Sequence, residues 1–156
     1  MTLNFKELNV RKMKPMLIIS TLLFFVLHAT SAQDPIIGQW KTIDDETGKP
    51  RSVVEIYKKG DMYYGKVVDM FLEPHEDPDP VCDDCDEDDP RYMQKTMGME
   101  ILKGAKKEGD EYVDGKILDP ENGKVYSCKL WMEDGQLKLR GYIAFFYRTQ
   151  TWLKYE

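Results

Sequence analysis

The sequence predicts an all-β protein, an antiparallel up-and-down barrel of about eight strands. Apolar and polar residues alternate over short stretches, and Gly, Asp and Asn turn signals separate these stretches. Two motifs frame them, Gly38-Gln39-Trp40 near the start and Arg148-Thr149-Gln150-Thr151-Trp152 near the end. Because the first and last strands of a closed barrel are neighbours, Trp40 and Arg148 can stack, with the cation over the ring.

The strands are predicted from the alternation, which marks a half-buried strand. In order along the chain they are Ile36 to Ile43, Ser52 to Lys58, Asp61 to Asp69, Met99 to Lys103, Glu111 to Leu118, Lys124 to Glu133, Gln136 to Ile143 and Tyr147 to Tyr155.

Most connections between these strands carry recognisable turn chemistry. The first is a polar loop from Asp44 to Pro50, and the second is Lys59-Gly60. Glu121-Asn122-Gly123 and Asp134-Gly135 supply residues that tolerate the positive φ angles of tight hairpins. Hairpins that follow one another in this way predict a meander.

A two-residue period gives each strand one apolar face and one solvated face, as a barrel wall requires. We expect the barrel to be partly hollow, with Gly115 and Gly141 leaving space where larger side chains would fill it. The inward set is predicted to be Val54, Ile56, Val113, Ile117, Tyr126, Leu130, Leu137, Leu139 and Ile143.

One long segment, Phe71 to Thr96, breaks the pattern of short turns. It is too polar and too rich in Pro for a core strand, and it carries most of the chain's clustered Asp and Glu residues. A segment of this size in a compact domain is usually functional or disordered. Its simplest interpretation is a solvated acidic flap over one mouth of the barrel.

Residues 1–32 predict an export signal. Arg11, Lys12 and Lys14 precede a 14-residue apolar run from Met16 to Ala29, and small residues stand before a cleavage point after Ala32. The run is shorter than the roughly 18 to 20 apolar residues that a membrane span needs. We therefore expect residues 33–156 to form a single barrel domain in the periplasm or outside the cell, with no membrane insertion after cleavage.

Charge excludes one large class of partners. Residues 33–156 contain 18 Lys and Arg against 27 Asp and Glu, a net charge of −9. Nucleic-acid binding needs cations to neutralise phosphates, and the sequence has no basic stripe that could supply them. We expect no nucleic-acid partner.

The cysteines admit more than one interpretation. Cys82, Cys85 and Cys128 all follow the signal, and an exported protein meets oxidants, so a disulfide is expected. Cys82 and Cys85 could pair locally, or one of them could pin the long segment to Cys128. Redox catalysis by Cys82-x-x-Cys85 is disfavoured because the surrounding carboxylates raise the pKa of a thiol.

Metal and hydrolytic sites are weakly supported by the sequence. Zinc would need a fourth ligand beyond the Cys pair and His75, and no window has the spacing of a calcium loop. His75 is the one histidine after the signal and lies far along the chain from Ser52 and Ser127. We expect no resident metal, no cofactor and no catalytic residues, and hence no enzyme.

Several motifs in a fixed order resemble the secreted bacterial domain-of-unknown-function 2147 family. They are Gly38-x-Trp40, Thr47-Gly48-Lys49-Pro50-Arg51 before Val53-Val54-Glu55-Ile56-Tyr57, Asp119-Pro120-x-Asn122-Gly123-Lys124-x-Tyr126, and Arg140-Gly141-Tyr142 before Arg148-Thr149-Gln150-Thr151-Trp152. The resemblance implies a lipocalin-like barrel, export from a Gram-negative cell and no assigned reaction. It also implies structural roles for Gly38, Trp40 and Arg148.

The leading functional hypothesis is a barrel that binds a small apolar ligand or a component of the cell envelope. Because the net charge repels anions, the ligand is expected to be uncharged or cationic. The alternatives are a filled barrel that meets a partner through outward aromatics such as Trp131 and Tyr142, or through the acidic segment, and an enzyme that uses carboxylates.

Overall fold

The structure, a computed structural model, describes residues 33–155; the predicted signal lies outside the described residues, so its cleavage stays a prediction. Eight strands and no helix occur in this range. They are β1 (Gly38–Ile43), β2 (Pro50–Lys59), β3 (Met62–Met70), β4 (Glu100–Glu108), β5 (Glu111–Asp119), β6 (Lys124–Glu133), β7 (Gln136–Ile143) and β8 (Phe146–Lys154).

Each strand pairs antiparallel with the next, and β1 pairs with β8 to close the barrel. Closure occurs where Trp40 stands opposite Lys154 and Lys41 stands opposite Leu153. The predicted fold class is therefore confirmed. No helix of the described residues has the length and apolarity that a membrane span needs.

The strand predictions differ from the structure chiefly at the end of β4 and at the start of β1. β4 runs to Glu108, five residues beyond the predicted end, and Gly104 at φ 72° lies within it. Glycine adopts this left-handed conformation without steric cost, so the strand continues through an irregularity. β1 begins at Gly38 because Asp34 to Ile37 form a turn, in which the Ile37 amide donates to the Asp34 carbonyl at 3.0 Å.

The barrel interior is filled by large side chains rather than hollow through its length. Four aromatic residues are at most 2% exposed, namely Trp40, Trp152, Tyr63 and Tyr112. They belong to one apolar cluster with the inward aliphatic residues of six strands. Aromatic residues of this size occupy most of the volume that eight strands enclose.

Of the predicted inward residues, Val113 does not face the interior, and Ile143 lies on the inward face of β7 but beyond the buried part of the barrel. A bulge at Asp114, where φ is 59°, shifts the β5–β6 register between Tyr112 and Gly115. Tyr112 and Gly115 therefore both face the interior, and Val113, which stands opposite Lys106 of β4, does not. Ile143 is 53% exposed at the end of β7. Gly115 leaves no free space either, because an added Cβ would lie 2.8 Å from the Cys128 Sγ.

One end of the barrel is closed by the residues that precede β1. Ile36 is fully buried, and its carbonyl accepts a hydrogen bond of 2.7 Å from the Trp40 Nε1. Asp34 accepts hydrogen bonds from Lys107 and from the Tyr63 hydroxyl, and these lower the pKa of its carboxyl group. Ion pairing and burial together therefore seal this end.

Candidate functional site

The opposite end of the barrel is open, and exposure rises steadily towards it along β7 and β8. On the inward face of β7, Leu137 is fully buried, Leu139 is 4% exposed, Gly141 is half-buried and Ile143 is 53% exposed. The residues opposite them on β8 are, in the same order, Trp152, Gln150, Arg148 and Phe146, and of these four only Trp152 is buried. The inward face above Leu139 is therefore exposed at this end of the barrel; we call this region the cup, and it is the candidate site.

The wall of this cup is polar on the side where β8 meets the β1–β2 loop. The Arg148 Nε lies 2.6 Å from the Asp45 Oδ2, and the Gln150 side-chain amide donates to the same oxygen at 3.2 Å. Gly141 stands opposite Arg148, and an added Cβ there would meet only the Tyr126 side chain, at 3.6 Å. A Cβ at this position would therefore rest against Tyr126 without a clash.

An ion pair spans the mouth of the cup. Arg51 on β2 contacts Glu121 in the β5–β6 turn and places its Nη1 2.5 Å from the Glu76 Oε1 in the long segment. β2 and β6 are four strands apart in a ring of eight, so they lie on opposite walls. Arg51 and Glu121 consequently meet across the opening and narrow it.

Carboxylates outnumber cations around this mouth. Asp119, at the end of β5, has its pKa raised chiefly by burial, while nearby Arg148 acts in the other direction. Arg51 and Arg148 are each already paired with carboxylates. An anion would therefore have to displace an existing ion pair, which disfavours anionic ligands.

The prediction that Arg148 stacks on Trp40 is wrong. The Lys154 Nζ lies 4.7 Å from the centroid of the Trp40 ring, because Lys154 is the β8 residue directly opposite Trp40. Arg148 lies six residues earlier on β8, at the other end of the barrel. Gly38 lies under this lysine, and an added Cβ would stand 2.6 Å from the Lys154 Nζ.

We expect Trp40 and Lys154 to be energetically coupled. A double-mutant cycle with Trp40→Phe and Lys154→Met, followed by urea unfolding, should give a coupling energy of about 0.5 to 1 kcal/mol, since the cation is partly solvated. Arg148→Met is the matched control and should combine additively with Trp40→Phe. Additivity in both cycles would mean that the contact between Lys154 and Trp40 does not stabilise the pairing of β1 with β8.

The acidic segment is an ordered layer on the barrel wall, not a solvated flap. Its Cys82 and Cys85 form a disulfide and are buried. They join the same apolar cluster as Ile101 and Leu118, whose neighbours Leu102 and Ile117 face the interior. Side chains alternate along a strand, so Ile101 and Leu118 point outward, and the segment covers them.

Backbone contacts hold this layer in place. The Cys82 amide donates to the Gln94 carbonyl at 3.0 Å, and the Met93 amide donates to the Cys82 carbonyl at 2.9 Å. Gly123 in the β5–β6 turn lies against the backbone of Asp84, where an added Cβ would be 1.7 Å from the carbonyl oxygen. The pKa of the Asp89 carboxyl falls to about 2, chiefly because Arg91 donates to it.

The cysteines should behave differently towards a thiol reagent. Cys128 is buried, and burial raises the pKa of its thiol to about 12, so we expect no alkylation of the native protein. Alkylation after denaturation should modify one thiol, and after reduction it should modify three. Three reactive thiols before reduction would contradict the Cys82–Cys85 bond. Because the bond closes so short a loop, its chain-entropy contribution is only about 2 kcal/mol.

The described residues do not assemble a metal-binding group of three or more His, Cys, Asp or Glu side chains. The acidic side chains are instead spread over the layer, and several pair with Lys or Arg. A disulfide removes Cys82 and Cys85 as thiolate ligands.

Sequence reasoning missed a groove of about 490 Å³ on the outer wall of β5, β6 and β7. There the Lys116 Nζ donates to the Ser127 hydroxyl at 2.7 Å. Both side chains are exposed, whereas a lysine that activates a serine is desolvated. Ser52 hydrogen-bonds Thr42 instead of a base. Neither serine therefore has the surroundings of a nucleophile.

The geometry defines a class of protein, the closed eight-stranded barrel with one sealed end and one open end. A solved structure described as "Protein HP1028 from the human pathogen Helicobacter pylori belongs to the lipocalin family" is similar to this chain. The TM-score is 0.64, with 17% sequence identity over 78% of this chain and 83% of that one. At this identity the likeness shows the fold alone. A comparison with curated proteins finds no match.

The family is shown by the sequence itself. Residues 38–154 match the family described as "Uncharacterized protein conserved in bacteria (DUF2147)", and the chain belongs to this family. The resemblance drawn from the sequence motifs is thereby confirmed.

Proposed function

We propose that this protein is an exported, non-enzymatic binding protein whose cup holds the apolar part of a small uncharged or cationic molecule. An envelope component is the class of ligand that an exported barrel would meet. The observation that carries the proposal is the exposure gradient on β7 and β8, from the buried Leu137 and Trp152 to the open rim. One sealed end and one open end suit reversible binding of a single small molecule.

The shape of the cup limits what can bind. Below Leu139 the interior is occupied by Trp152, Leu130 and their neighbours, so a ligand can enter only the upper part of the barrel. Gly141 and Tyr126 offer a small apolar and aromatic surface there, beside the paired Arg148. These features favour a short apolar group with a neutral or cationic end.

Titration with an uncharged environment-sensitive apolar dye tests this proposal. Wild-type protein should bind the dye saturably, and Gly141→Leu should abolish binding because the new side chain projects into the cup beside Tyr126. Tyr142→Leu is the matched control, since it places leucine one residue further on the outer face. Absence of binding by the wild type, or equal loss in both variants, would exclude the cup as the site.

A second candidate function is favoured by the outer wall. The Arg140 guanidinium lies 5.2 Å from the Trp131 ring centroid and 4.5 Å from the Tyr147 ring centroid, and the Lys129 Nζ also lies over Trp131. Trp, Tyr and Arg dominate the binding energy of protein interfaces. A barrel that binds no small molecule would act through this wall, as the filled-barrel alternative requires.

A further inference from the structure

The tip of the β7–β8 hairpin exposes a continuous run of apolar side chains. Phe145 is 99% exposed, Phe146 is 76%, Tyr147 is 63% and Ile143 is 53%. Ala144 adopts φ 50° in the tight turn between the strands. Large hydrophobic residues are normally exposed singly, so a run of this kind marks an interaction site.

The charge of this hairpin differs from that of the rest of the protein. From Gln136 to Tyr155 the chain has four Lys and Arg residues and no Asp or Glu, although residues 33–156 together carry a net charge of −9. Arg140 stacks on Tyr147 just below the tip. The hairpin therefore presents apolar rings at its end and cations behind them.

A second protein is a poor match for so small a surface. Two Phe side chains bury about 150 to 250 Å² each, whereas a stable protein interface buries at least about 1,000 Å². The boundary between lipid headgroups and acyl chains needs no complementary shape. Apolar rings enter it, while Tyr and Arg remain at the level of the phosphates.

We infer that the β7–β8 tip docks the barrel on the surface of a zwitterionic phospholipid bilayer. Phe145 and Phe146 enter the headgroup region, and Arg140 and Tyr147 lie at the phosphates. This is a contact with the membrane surface and not a membrane span. It turns the open end of the barrel towards the lipid, and it does not require the cup to bind anything.

Co-sedimentation with vesicles of phosphatidylcholine and phosphatidylethanolamine tests the docking, using the chain from Gln33 onward, which contains all eight strands. The wild type should pellet with the vesicles. The variant Phe145→Ser/Phe146→Ser should partition at least about tenfold more weakly, because burial of the two rings contributes most of the free energy of binding. Met62→Ser, at the opposite end of the barrel, is the matched control and should pellet like the wild type.

A variant with a fluorescent side chain measures how deeply the tip enters the bilayer. Phe145→Trp should show an emission shift to the blue with vesicles and quenching by brominated acyl chains. Added anionic lipid should change binding little, because the cations of the hairpin attract it while the net charge of −9 opposes it. Gly141→Leu should still bind vesicles, which separates this docking from the occupancy of the cup.

Four outcomes would overturn the inference. These are no sedimentation of the wild type, equal loss in the Met62→Ser control, binding that requires anionic lipid, and a dimer in sedimentation velocity that the double Phe variant abolishes. The last result would assign the tip to contact between two copies of the chain.

Discussion

Replacing Trp40 with alanine is expected to lower the free energy of unfolding by about 3 to 5 kcal/mol, as measured by urea unfolding followed by far-UV circular dichroism. Trp40 is 1% exposed, sits where β1 meets β8, and donates its indole hydrogen bond to the Ile36 carbonyl. The substitution opens a cavity at the closure and leaves that buried carbonyl without its donor.

Trp131→Ala is the matched control, because it removes the same side chain from the outer wall. Trp131 is only partly buried and lies beside Lys129 and Arg140. Its loss should cost about 1 kcal/mol or less. Equal destabilisation by the two substitutions would mean that the β1–β8 closure does not depend on Trp40.

Substitution of Gly123 by alanine should destabilise the protein by about 2 to 4 kcal/mol and loosen the acidic layer. The new Cβ would lie 1.7 Å from the Asp84 carbonyl oxygen, so one of the two backbones must move. The residue also has φ 66°, which adds a cost of roughly 1 kcal/mol for any side chain. Faster proteolysis within residues 71–99 should accompany the loss of stability.

Gly135→Ala separates the steric clash from the conformational cost. Gly135 has φ 74° in the β6–β7 turn, but an added Cβ would meet no atom within 4 Å. The Gly135→Ala variant should therefore lose only about 1 to 2 kcal/mol of its free energy of unfolding, and its acidic layer should stay resistant to protease. A Gly123→Ala variant no less stable than Gly135→Ala would refute the tight contact between the turn and Asp84.

Strand order was predictable because it depends on local information. Alternating side chains and turn residues such as Asp134-Gly135 act within a few positions, and β6 and β7 have the predicted bounds. The interior lining was less predictable. The bulge at Asp114 turned the Val113 side chain away from the interior. One extra residue in a strand reverses the face on which the neighbouring side chains lie.

The candidate site depended on distant residues, and the sequence anticipated little of it. Arg148 was expected near Trp40, but the register of β1 against β8 places Lys154 there and leaves Arg148 at the mouth with Asp45. Strand stagger in a closed barrel is set by the packing of all eight strands, so no local motif specifies it.

The sequence by itself determined that this protein is an all-β barrel of the DUF2147 family, because alternation, turn residues and ordered motifs are local features of the chain. Only the tertiary structure decided that the interior is filled below Leu139, that the acidic segment covers Ile101 and Leu118, and that Arg51 meets Glu121 across the mouth. Each of these facts depends on contacts between residues far apart in the chain. Such contacts are chosen by close packing and charge pairing once the barrel has closed.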